Sequence, residues 1–425
     1  MKIYRMVGLI GILLVSFISV MAQSSPQKSL DLSHLIERAI SENPQLRAAH
    51  TQVDVYGLKI SQAGALPDPV LGVNLLNVPV NTFRFNQEPM TGKQVSLMQA
   101  LPFPGKLSLE SKIASDQQHI ADAQYQELKN QLIREVKKTY FELYFVDRSL
   151  QTVSDNQSVL KNFVTIAETK YSVGKGLQQD VLRAQLELSG LIDKEISLKQ
   201  KRNIIVSHLN TLVNQQPDHF LGEPVLPAII PIDTVSNRLL SLANEKRPLL
   251  NSWKVMEAQA DKKVELAQKG ILPDFKIGIA YTQRNVLSNG SGGIDFLSGL
   301  FSVNIPIYYK RKQKKNIEEM QYTRTMIAQR YDQVSHSVAD HIVKNLAQLR
   351  KSRQRIELYK TGIIPQAKQS LQSALAGYQN DKVDFLTLLN NEMSLFNFQL
   401  EYYRALTDYH TAIADLQTDT GAETY

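Results

Sequence analysis

The chain has 425 residues, 43% of them apolar and 21% charged, with no cysteine and a formal net charge of +7. The lack of cysteine excludes a disulfide framework, a thiol nucleophile, a Cys-based zinc site and a lipidated N-terminal cysteine. So small a positive excess over so long a chain is too dilute to imply a nucleic-acid partner.

The chain opens with Lys2 and Arg5, an apolar run from Val7 to Val20, and the ending Val20-Met21-Ala22. This pattern predicts a secretory signal over residues 1–22, cleaved after Ala22. Beyond it no apolar stretch is long enough to span a membrane as a helix, so any crossing must use strands. A helical region follows, with Asn43-Pro44 inside it, and the corner Leu66-Pro67-Asp68 closes it. Leu71, Val73 and Leu75 then alternate with Gly72 and Asn74, which predicts a strand over about 70–80. A less regular second strand, about 94–102, carries Val95, Leu97, Gln99 and Leu101, and the two are joined through Asn81 to Gly92.

From Lys106 to Val173 there are 68 residues without glycine or proline. As one helix, at 1.5 Å per residue, such a run is about 100 Å long. The turn Tyr171-Ser172-Val173-Gly174-Lys175-Gly176 ends it, and a returning helix completes a hairpin over 106–214. In that returning helix Ala184, Leu188, Leu191, Leu198, Ile205, Leu209 and Leu212 follow a 4,3 register, interrupted by the polar Glu195 and Arg202. This is the spacing of a knobs-into-holes seam.

The second half repeats the first. Arg247-Pro248 aligns with Asn43-Pro44, Leu272-Pro273-Asp274 with Leu66-Pro67-Asp68, and Pro306 with Pro102. Tyr171 to Asp180 aligns with Tyr378 to Asp384 if three residues are dropped from the second copy. Strands are expected over about 274–283, from Phe275, Ile277, Ile279 and Tyr281, and over about 297–306, from Phe301, Val303 and Ile305. Arg284 to Asp295 joins them, and a second helical hairpin runs over 308–420, with Leu386, Leu389, Met393, Phe396, Leu400 and Tyr403 forming its seam. The chain therefore divides into a first repeat, 23–221, and a second, 222–425, forming one pseudo-symmetric body. Four strands with an apolar face cannot close alone in lipid, because the edges would leave backbone groups unpaired. Two copies supply eight strands and three supply twelve.

The signal, the duplication, the paired strands between very long helices, the turn Tyr171 to Gly176 and the ending Ala412-Ile413-Ala414-Asp415-Leu416 through Gly421 resemble the TolC-like outer-membrane efflux proteins. The resemblance implies an α+β membrane protein: a trimeric 12-stranded β-barrel, four strands per chain, continued into the periplasm by a long α-helical coiled-coil barrel. It implies a homotrimer in outer-membrane lipid, partnered by a periplasmic membrane-fusion adaptor and an inner-membrane pump of the RND type, or an ABC or MFS pump. No cofactor is expected. The stretches Leu66-Pro67-Asp68-Pro69, Pro89-Met90-Thr91-Gly92-Lys93 and Leu101-Pro102-Phe103-Pro104-Gly105-Lys106-Leu107 also look like the outer components of heavy-metal efflux systems, for copper and silver or for cobalt, zinc and cadmium. Drug or solute efflux, or type I secretion, is the alternative cargo. A periplasmic coiled-coil adaptor and an envelope scaffold are the alternatives of another class.

The candidate functional residues follow from that resemblance. Asp180 and Asp384 read as matching positions just after the tight turns, at the periplasmic entrance, where three-fold symmetry makes rings of carboxylates that favour cations. Asp381 adds to the ring. The competing reading makes these aspartates helix caps. Tyr171, Gly174, Gly176, Gly377 and Tyr378 form the hairpin-tip turns. Tyr308, Tyr309, Lys310 and Arg311 fall at the membrane interface, the tyrosines as part of an aromatic belt and the cations as the headgroup-facing start of a helix. The eight histidines are scattered, His336 and His341 lying on different helix faces. With no strong metal-ligand set and no nucleophile-base-acid arrangement, enzyme activity is not expected.

Overall fold

A computed structural model describes residues 29–229 and 235–422, so the expected signal, 1–22, lies outside the described residues. A short parallel pair, β1 (Ser29–Leu30) and β4 (Glu223–Pro224), ties the start of the first half to its end. The Tyr140 hydroxyl fixes this pair, lying 2.9 Å from the carbonyls of Leu30 and Val225 and accepting from the Val225 N–H at 2.8 Å. Between them run α1 (Leu32–Glu42), α2 (Pro44–Gly64), β2 (Val70–Leu76), β3 (Gly92–Leu101), α3 (Lys106–Ser172) and α4 (Gln178–Leu212). The second half follows the same order: α5 (Ser236–Lys246), α6 (Pro248–Lys269), β5 (Phe275–Gln283), β6 (Phe296–Val303), α7 (Gln313–Leu358), α8 (Ile364–Gln379) and α9 (Phe385–Thr420).

Local chemistry sets the boundaries. Asn43 starts α2 by accepting hydrogen bonds from the Gln45 and Leu46 N–H groups, and Pro44, with no N–H to lose, takes the first helical position. The 67 residues of α3 are unbroken, as its composition predicts. Its counterpart is interrupted by a π-helical turn, Tyr359–Ile363, between α7 and α8. Pro365 lacks the N–H that an α-helix would use there, and the widened turn carries the chain past it. The interrupted helix is as long as α3, its segments being 46, 5 and 16 residues.

The four longer strands form one antiparallel sheet in the order β2-β3-β5-β6. Opposed residues of an antiparallel pair share a face, and the register sorts the sheet into two chemistries. Leu71 opposes Leu97, Leu97 opposes Ile279, and Val95 opposes Tyr281, which opposes Leu297. That face is apolar, and most of it is exposed in the single chain. The opposite face is more mixed: Asn74 donates to Gln94 and Gln94 to Thr282, both at 3.2 Å, and beside Ser96 and Ala280 it also carries Met98, Leu300 and Phe296. Two strands are shorter than their alternation suggests. β2 stops at Leu76 instead of reaching about 80, because Asn77 takes φ +48° and turns the chain, its carbonyl accepting from the Thr91 hydroxyl at 2.9 Å. β6 stops at Val303 instead of 306, because Asn304 bonds back to Asp274 through backbone and side chain and Pro306 follows.

Three apolar clusters fill the helical body. One joins α1, α3 and α4 around Tyr140, Leu143, Leu209 and Val213. A second joins α5, α7 and α9 around Leu239, Ile342, Leu346 and Tyr409. The third lies nearer the turns and joins both hairpins around Leu160, Phe163, Leu388 and Phe396. The polar interruptions of the α4 seam have partners on α3: Arg202 pairs with Asp147 at 2.6 Å and Glu195 accepts from Gln157 at 2.8 Å. Glu142, on α3, receives Lys201 from α4 at 2.6 Å and Arg404 from α9 at 2.7 Å, stitching three helices at one level. Burial pushes the Glu142 carboxyl up, and the two cations more than offset it, leaving it below its ordinary value.

Candidate functional site at the helical tips

Both hairpins turn at the same end of the molecule, and their turns have the same hydrogen-bond pattern. Lys175 N–H donates to the Lys170 carbonyl at 2.8 Å in the first, and Lys382 N–H to the Gly377 carbonyl at 2.9 Å in the second. Gly174 N–H donates to Tyr171 at 3.0 Å, and Asp381 N–H to Tyr378 at 3.3 Å. This is the Schellman closure of a helix end, and the residue that reverses the chain is left-handed in both, Gly174 at φ +72° and Asp381 at φ +56°. Gly176 has a different reason for being glycine: a Cβ there would sit 2.9 Å from the Lys170 Cβ and 3.1 Å from the Tyr171 nitrogen. Gly377 packs in the same way against Val383.

The turn pattern corrects the sequence alignment of the two tips. Tyr171 matches Tyr378, Gly174 matches Asp381 and Lys175 matches Lys382 with no residue dropped, so the expected three-residue shortening is absent. Asp384 therefore matches Leu177, and both occupy the N-cap position of their helix. Asp180 stands in the first turn of α4 and matches Thr387. Residue identity favours joining the two aspartates, whereas the backbone geometry pairs the turns themselves.

The three aspartates are placed differently. The Asp384 carboxylate accepts from the Thr387 N–H at 2.6 Å, and this bond holds it below the usual carboxylate range. Asp381 is exposed and forms an ion pair with Lys170, which lowers it likewise. Asp180 is half-buried, and burial, with the Asp384 charge adding to it, raises its carboxyl. Asp180 and Asp384 thus come from different hairpins and feel one another within a single chain.

Lys170 is the residue at this end that the sequence reading missed. From the last turn of α3 it reaches across to the second hairpin, donating to the Tyr378 carbonyl and to Asp381, with its ammonium 4.6 Å from the Tyr378 ring centroid. Tyr378 is buried while its counterpart Tyr171 is 49% exposed, so the pseudo-symmetry of the tips is broken in packing. The available signal was that Lys170 stands where the second copy has Gly377. At the opposite end of the helices Tyr308, Tyr309, Lys310 and Arg311 are exposed and lie ahead of α7, which begins at Gln313 and not at 308.

No helix among the described residues is long and apolar enough to cross a membrane. The chain thus joins one four-stranded sheet with an exposed apolar face to two very long helical hairpins. The chain belongs to the outer membrane efflux protein family, whose family model matches residues 35–215 and 239–422. Among curated relatives, the outer membrane protein TolC of Vibrio cholerae serotype O1 is 20% identical over 405 residues, 92% of this chain and 90% of the relative. Among solved structures, the outer-membrane channel OprN superposes with a TM-score of 0.79 at 18% identity, covering 92% of this chain and 90% of its own. A structure of CusC, described in connection with transmembrane channel formation, superposes with a TM-score of 0.78 at 15% identity, covering 92% of each chain.

Proposed function

We propose that three copies of the chain form a closed duct through which an inner-membrane pump and a periplasmic adaptor discharge cargo to the exterior. The observation that carries this reading is the pair of unpartnered edges: among the described residues β2 and β6 have no further strand beside them. Closing those edges in lipid needs further copies, and three supply a twelve-stranded barrel wide enough for a water-filled lumen. The exposed apolar residues Leu182, Leu186, Ile192, Ile196 and Ile204 on α4 support the same assembly, since α4 lies at one edge of the helical layer. The test is the size and heat-modifiable mobility of the protein in detergent. A detergent-requiring trimer agrees with the proposal, and a soluble monomer overturns it.

At the tips, Asp180 and Asp384 would each become a ring of three carboxylates, six in all, facing arriving cargo. The expected result is that Asp180→Asn with Asp384→Asn raises single-channel conductance, or weakens block by multivalent cations, in planar bilayers. Asparagine keeps the Asp384 cap, so the change reads charge and not folding, and unchanged currents would remove the ring. The resemblance of the Leu66 to Pro69, Pro89 to Lys93 and Leu101 to Leu107 stretches to heavy-metal efflux components supports metal cations as cargo. Deletion of the gene is then expected to sensitise cells to copper and silver, or to cobalt, zinc and cadmium. Tolerance unchanged across all five would leave drug or solute efflux as the reading.

A further inference from the structure

The two junctions that lead from the sheet into the long helices differ in length and in chemistry. The first is four residues, Pro102-Phe103-Pro104-Gly105, and it is closed on itself. Phe103 N–H donates to the Asp274 carboxylate at 2.7 Å, and the buried Lys106 pairs with the same carboxylate at 2.8 Å and reaches the Leu272 carbonyl at 3.1 Å. Its one cation is therefore committed inside the chain.

The second junction is nine residues, Asn304 to Lys312. It begins on the line of the apolar face, Ile305 following Phe301 and Val303, and it exposes Ile305, Ile307 and Tyr308 by 74%, 75% and 71%. The chain then winds into a helical turn, the Tyr308 carbonyl accepting from Arg311 and Lys312 at 3.0 and 3.1 Å. Lys310, Arg311, Lys312, Lys314 and Lys315 follow, all exposed. Lys315 has Glu318, and among the described residues the other four meet no carboxylate at ion-pair distance. These cations also stand at the positive end of the α7 dipole, where no acidic residue occupies the first turn. Glu318, which also attracts Lys314, offsets only part of this charge, and an anion from outside would stabilise the rest.

We propose that the β6–α7 junction binds anionic phospholipid of the bilayer leaflet at the helical end of the barrel. Ile305, Ile307 and Tyr308 enter the boundary between acyl chains and headgroups, while Lys310, Arg311, Lys312 and Lys314 hold the headgroup phosphates. The site deepens the membrane reading and rests on it. It recurs once per chain, because the first junction has neither the length nor the free cations, and so it would mark three positions around a trimer.

The test compares wild-type protein with the Lys310→Gln, Arg311→Gln, Lys312→Gln, Lys314→Gln variant in bilayers of neutral phosphatidylcholine with and without phosphatidylglycerol. The readout is bound lipid counted by native mass spectrometry after extraction. Wild-type protein is expected to retain phosphatidylglycerol in preference to phosphatidylcholine, and the variant to lose that preference by roughly tenfold or more, with added salt weakening it in the wild type. Equal retention by the two proteins overturns the site, as does displacement of the lipid by millimolar inorganic phosphate. Loss of the oligomer in the variant with lipid retention unchanged makes the junction a contact between copies and also overturns it. Failure of the wild type to insert into any bilayer is a separate result, which removes the membrane reading itself.

Discussion

Replacing Arg247 by alanine is expected to destabilise the folded chain by about 3–5 kcal/mol, the cost of leaving buried charges without their partner. Arg247 precedes α6 with a side chain only 7% exposed, and it meets Asp419 at 3.0 Å and Glu127 at 3.3 Å, both also buried. Asn345 donates to the other Asp419 oxygen at 2.8 Å, and Glu127 accepts from the Leu249 N–H at 3.3 Å, so the cluster joins α3, α6, α7 and α9. Burial already raises the Asp419 carboxyl against the pull of Arg247. Without the guanidinium, two carboxylates share a dry pocket, and one must take up a proton or draw water in. The measurement is thermal unfolding of the detergent-solubilised protein followed by circular dichroism. Combining Arg247→Met with Glu127→Gln and Asp419→Asn is expected to recover most of the loss, because no buried charge remains. A single variant as stable as the wild type would show that the cluster does not hold these helices.

Glu392 sets the second large effect, and its sign is fixed by burial. Its side chain lies among the α9 residues Leu388, Leu389 and Phe396, is 2% exposed, and has an oxygen with no hydrogen-bond partner. Burial raises its carboxyl from 4.5 to about 7. The folded value lies above the unfolded one, so the contribution to stability is full below about pH 4.5 and is lost as pH rises to about 7. Over that window the loss is about 3 kcal/mol per chain. The register of α9 against α3, in which Thr407 reaches the Phe141 carbonyl and Thr418 the Asn130 carbonyl, brings Glu392 level with Asn156. The Asn156 side-chain oxygen is also buried and unpartnered, so this layer holds acceptors in excess of donors until Glu392 binds a proton. Glu392→Gln is expected to flatten the pH dependence of stability between pH 4.5 and 8 and to be the more stable protein at pH 8. Parallel pH profiles for the two proteins would sink the assignment.

The two positions were not equally legible. Arg247-Pro248 stood out as the counterpart of Asn43-Pro44, yet the alignment carried no hint that the arginine grips Asp419. The structure supplies the common logic: Asn43 donates to the Leu212 carbonyl at 3.1 Å, so in each half the residue before the proline anchors the end of the returning helix. Glu392 was invisible, since a glutamate between apolar seam positions reads as a surface residue until the first hairpin covers it. The aspartates at the tips were found by residue type and then misaligned.

What the sequence determined by itself is everything that depends on neighbours along the chain. The length of α3 followed from where glycine and proline are missing, the seams from their 4,3 spacing, the existence of the strands from their alternation and the duplication from its punctuation. These are local rules, and each needs only the backbone and the next few side chains. Only the tertiary structure decided which residues from distant segments meet. It brought Lys170 to Asp381, Arg247 to Glu127 and Asp419, and Asp180 near Asp384, and among the described residues it left Lys310, Arg311 and Lys312 with no carboxylate at ion-pair distance. Those pairings depend on how two hairpins and a sheet register against one another in space, which long-range packing sets and no local spacing encodes.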